Sequence, residues 1–180
     1  FAEAADDDDD PDLLAIRTGP VTALVVGANH FEATQQHYED RIVFHSTPLN
    51  PRPEDPAADW EPLFRHVATV QPGGYRTFEI EGEWPGEDAW EALRHAIVPA
   101  DVRRWSGTEF RLRDATTSTD IEAIYAMYLV PPEWSTQHAA EQLIELTADW
   151  PSPLFWPTLA EAAGLDPEPH RERARRYGYE

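Results

Sequence analysis

The sequence of 180 residues contains no cysteine, which excludes disulfide scaffolds and thiolate chemistry. Lysine is absent as well, so all fourteen cationic residues are arginine, set against 34 Asp and Glu. No apolar run approaches the roughly eighteen residues that a membrane-spanning helix needs, and no membrane partner is expected. The first residues carry no signal-peptide pattern. There is also no P-loop, no GxGxxG, no HExxH and no GxSxG, and no serine sits in a setting that suggests a triad. No cofactor is expected, and no residue is assigned a catalytic role.

What is present points to a folded chain. Hydrophobic residues make up 41%, with seven Trp, seven Phe and six Tyr, enough for a sizeable core in one domain or one domain with an appendage. The formal charge is -20. Abundant Asp, Glu, Arg and Ala without Lys resembles the composition of haloarchaeal proteins and those of their viruses. That resemblance implies the cytoplasm of a salt-accumulating cell, or a virion. The physics agrees: at molar salt the Debye length is about 3 Å, so carboxylate self-repulsion is screened. At low salt the same charge works against the compact state.

Read in order, the chain suggests three parts. Residues 1–20 form an acidic arm, dominated by five consecutive aspartates, Asp6 to Asp10, which repel one another and stay solvated. Residues 21–150 form a core. In it Val21 to Ala28 and Arg41 to Thr47 read as strands, and Pro48 to Pro62, with five prolines, as an extended arm. Loops of that length in compact domains often carry function. Tyr75 to Trp84 alternates as a strand, Phe78 and Ile80 inward and Glu79, Glu81 and Glu83 on a solvated outer face. Glu87 to Val98 reads as an amphipathic helix on Trp90, Leu93 and Ile97, and Thr108 to Ala115 as another strand. Thr119-Asp120-Ile121-Glu122 has the form of a capping box and predicts a helix over Ile121 to Val130. Ser135 caps a further helix to about Ala148. The whole reads as α+β: an antiparallel or mixed sheet in the first two-thirds, and a helical last third ending in a helical hairpin.

The third part, residues 151–180, departs from the rest. It holds four Arg against five acids, while the preceding 150 residues hold ten against twenty-nine. Its stretch Leu159 to Pro167 resembles the first helix and turn of a helix-turn-helix: Ala160 is the small residue, Gly164 suits a positive φ in the turn, and Leu165 follows it. The segment also looks like the C-terminal part of small tailed-phage proteins. The resemblance implies a second helix presenting Arg171, Arg173, Arg175 and Arg176 to phosphates. Two of its apolar positions are taken by His170 and Arg173. Phe155 and Trp156 lead into the hairpin, and with the four arginines they are the candidate interaction residues of this tail.

One other cluster could hold a metal: His30, His37, Asp40 and His45, in a polar turn after a buried strand. Its spacing matches no standard ligand pattern. Three readings of function follow. The first is a non-enzymatic interaction or structural protein of a halophile or its virus, working through arms and tail among other protein subunits. The alternatives are a DNA-associated protein using the hairpin and a metal-dependent enzyme using the His30 to His45 region.

Overall fold

The computed structural model describes residues 14–28, 36–55, 60–103, 107–113 and 119–177, without the side chains of 108–110 and 112–113. The chain divides into two compact units, Phe1–Arg76 with Asp101–Trp105, and Thr77–Ala100 with Ser106–Glu180. The boundary falls inside the segment read from sequence as one core, and residues 151–180 belong to the second unit. Of the expected acidic arm, residues 1–13 lie outside the described residues, and Ala15–Arg17 form a strand.

The first unit is a four-stranded antiparallel sheet in the order β1 (Ala15–Arg17), β2 (Thr22–Val25), β3 (Arg41–Pro48), β4 (Phe64–Gln71). Period-two alternation places Ala15, Ala23, Val25, Ile42, Phe44 and Phe64 together in one buried cluster. The Phe44 and Phe64 rings meet at 4.9 Å, and each contributes about 2–3 kcal/mol by burial. The β3–β4 ladder is irregular. Ile42 opposes Thr69 while Arg41 opposes Gln71, so Val70 is an extra residue on β4. Val43 opposes Ala68 while Phe44 opposes His66, which makes Val67 a second one. Residues left out of a ladder in this way bend and twist the strand.

Pro48–Pro62, read as a loop, connects these two strands outside any helix, with 56–59 beyond the described residues. Its base is tied. Leu49 N donates to Leu63 O (2.7 Å), Asn50 Nδ2 to Glu61 O (2.8 Å), and Leu63 N to Asn50 Oδ1 (2.8 Å).

The second unit carries a three-stranded sheet ordered β5 (Arg76–Glu83), β7 (Asp120–Val130), β6 (Gly107–Arg113), with α1 (Glu87–Ile97) between β5 and β6. Then come α2 (Thr136–Leu146), α3 (Pro157–Ala162) and α4 (Glu168–Arg176). The fold is α+β, with antiparallel sheets first and helices last. Helix α1 buries Trp90, Leu93 and Ile97, the stripe expected of it. Helix α2 is capped by Ser135, whose hydroxyl accepts from His138 N.

One element differs from its expectation. The segment expected as a helix over Ile121–Val130 is strand β7, the middle of its sheet, paired in unbroken register with β6 from Asp120↔Arg113 to Ala126↔Gly107. Its residues 126–130 are all buried, because a central strand is covered on both faces. A run buried on both faces has no period to read. Its β-branched and aromatic residues favour the strand, and no helix starts at Thr119 to be capped.

Candidate functional site

The densest polar arrangement in the second unit is built on β5. Its odd positions carry Glu79, Glu81 and Glu83, and the expectation of a solvated acidic face is corrected here: all three are half-buried. What covers them is hydroxyl-bearing and aromatic. Tyr125, from β7, donates its hydroxyl to Glu79 (2.5 Å). Ser152 and Tyr177 both donate to the Glu83 carboxylate, at 2.7 and 2.5 Å.

Between them, Phe155 lies antiparallel to Glu81. Glu81 N donates to Phe155 O (3.0 Å), and Phe155 N donates to Glu81 O (2.8 Å). The Phe155 ring stacks on that of Tyr177 at 5.7 Å. Leu154 closes the seat over Gly82, where a Cβ would stand 2.6 Å from a Leu154 methyl and 3.3 Å from its Cα, so a larger residue there would have to displace Leu154. Burial first, and then the neighbouring Glu79 charge, pushes the Glu81 carboxyl up to about 7. The protonation of Glu81 therefore changes near neutral pH.

The residue after Phe155 is held by a histidine. Trp156 N donates to His170 Nδ1 (3.3 Å), and the two rings lie 4.1 Å apart. Accepting at Nδ1 places the imidazole proton on Nε2. Burial, then the Arg173 charge, lowers His170 to about 4, with Asp166 opposing.

Of the tail residues singled out from sequence, Phe155 and Trp156 are buried within their own unit. Arg171 pairs with Glu161 of α3 (2.8 Å) and Arg175 with Glu168 (2.9 Å). Arg173 donates to Leu154 O (3.4 Å), and Arg176 lies over the Tyr177 ring, 5.5 Å from its centroid. Both ion pairs are exposed and contribute at most about 1 kcal/mol each. Gly164 adopts φ +73 in the α3–α4 turn, as the helix-turn-helix resemblance implies, and Leu165 after it is 42% exposed.

In the first unit, His30 lies outside the described residues. Asp40 is buried, and its carboxylate accepts from His37 N (2.9 Å) and Gly73 N (2.7 Å), tying two turns together. His45 is exposed, and its Nδ1 accepts from Thr47 N (3.3 Å). Among the described residues no three His, Asp or Glu side chains converge as metal ligands. Beside Asp40, the buried Tyr38 hydroxyl donates to Asp101 (2.6 Å); burial and then that carboxylate raise its pKa.

A cleft of about 550 Å³ opens on the second unit, lined by Glu83, Trp84, Arg111, Asp120, Ile121 and Glu122. Among the described residues no helix is long and apolar enough to cross a membrane. Sequence reasoning missed Tyr125, Ser152 and Tyr177 as partners of the glutamate row. No local pattern marks them, because the pairs join residues 46, 69 and 94 positions apart. No family model, no curated protein and no solved structure matches the chain.

Proposed function

We propose that this chain is a non-enzymatic interaction or structural subunit of a halophile or its virus, working in molar salt among other protein subunits, copies of itself included. The observation that carries the reading is the outermost strand of the first sheet. The two bulge residues of β4, Val67 and Val70, hold aliphatic side chains that are 59% and 61% exposed. Leu49, at the tied base of the proline-rich loop, is 42% exposed. On a chain of charge -20, aliphatic groups turned to solvent along an outer strand favour a fitted contact over solubility. Bulges disfavour indiscriminate pairing of the strand edge and still present these side chains.

The arginines of α4 already face carboxylates, a carbonyl and a ring of their own unit, which gives the DNA-reading alternative no added support. Charge contributes to the choice of conditions. Two copies of so acidic a chain repel each other at low ionic strength and approach freely where the Debye length is about 3 Å.

The test is sedimentation of the chain in 3 M KCl beside the double variant Val67→Asp/Val70→Asp. The parent should associate. The variant should keep its circular dichroism and show a lower mass. Equal masses for the two would remove β4 as the contact.

A further inference from the structure

The seat on β5 is fitted in every respect to one peptide, the chain's own tail. The backbone of Glu81 exchanges two hydrogen bonds with Phe155, Gly82 leaves room for Leu154, and Glu83 takes the hydroxyls of Ser152 and Tyr177. Helix α2 adds a fourth point, where the Thr136 hydroxyl donates to Ala162 O of α3 (2.7 Å). The tail is joined to α2 through Trp150-Pro151-Ser152-Pro153, and Pro151 and Ser152 form a bend there.

Charge separates tail from body. Four Arg against five acids in residues 151–180 face ten against twenty-nine in the remainder, so the tail approaches a second copy against less repulsion than the rest of the chain meets. We propose that the outer edge of β5 is an interaction surface whose partner is the tail of a second copy of this chain, exchanged so that two copies clasp each other.

Such an exchange is inexpensive, because each contact broken within one copy is remade between two. The balance between closed monomer and clasped dimer then depends on the hinge and on concentration, and not on how tightly the tail is held. The proposal rests on the assembly reading above and adds to the β4 contact a second surface with a named occupant.

A pair that exchanges both backbone hydrogen bonds across antiparallel strands has Cα atoms about 5.5 Å apart, which is within disulfide reach. The chain has no cysteine to compete. Single variants Glu81→Cys and Phe155→Cys, mixed in 3 M KCl and oxidised, should give a covalent heterodimer. Glu81→Cys mixed with Glu141→Cys, whose site is exposed on α2, should give none. No excess over that control would overturn the exchange.

Because Phe155→Cys removes a buried ring, a second variant is needed. Tyr177→Phe deletes one bond to Glu83 in the closed and exchanged forms alike. It should leave the dimer fraction unchanged and speed the mixing of fluorescently labelled copies several-fold. A lower dimer fraction with unchanged mixing would contradict the proposal. Association in 3 M KCl without the heterodimer would leave the assembly reading standing and remove the exchange alone.

Discussion

Glu81 and His170 hold consecutive residues of the docked tail, Phe155 and Trp156, and their proton linkages oppose each other. Glu81 has its pKa raised from 4.5 to about 7 in the folded chain, so it costs stability as pH rises through that window. His170 has its pKa lowered from 6.5 to about 4, so its contribution is present above 6.5 and is lost as pH falls towards 4. Between about 4.5 and 6.5 the folded chain holds one extra proton on Glu81 and lacks one on His170, and the two slopes cancel. These two residues therefore predict a plateau in tail stability with a fall on either side.

Hydrogen exchange of residues 154–177 against pH measures this plateau. Glu81→Gln should unmask protection rising from pH 4 to 6.5, and His170→Gln should unmask protection falling from pH 4.5 to 7. Identical profiles in the parent and both variants would detach these groups from tail docking. Gly82→Ala addresses the same seat through sterics. A methyl placed 2.6 Å from Leu154 should cost about 1–3 kcal/mol. Faster exchange at 154–156 with α1 unchanged would register it, and no change would show that Leu154 yields freely.

At the scale of elements, legibility followed how local the determining interaction is. Helix α1 showed its stripe because Trp90, Leu93 and Ile97 meet a single buried face. Ser135 announced α2 because a cap acts within three residues. Strand β7 was misread because its identity comes from neighbours on both sides, which overrode a capping-box pattern at Thr119–Glu122. The row Glu79, Glu81, Glu83 was correctly placed on one strand face but assigned to solvent, since its cover arrives from β7 and from residues 152–177. Alternation shows which side chains share a face and not what lies over it. The bulges at Val67 and Val70 were equally invisible, because a bulge exists only relative to its partner strand. Aspartate at both positions tests whether the exposed valines hold a contact.

For the whole molecule the governing quantity is charge. A formal -20 with no lysine is a property of composition, legible without any structure. It leads to the proposal of a subunit that folds and assembles where salt screens it. Thermal midpoints should rise substantially from 0.1 to 3 M KCl. A flat or falling curve would remove the argument from charge.

Assembly is the central claim, and light scattering from the full chain across the same salt range tests it most directly. The account predicts the mass of one chain or an unfolded chain at 0.1 M KCl, and multiples of that mass at 3 M with unchanged secondary structure. A folded single chain at every salt concentration and every protein concentration would contradict it.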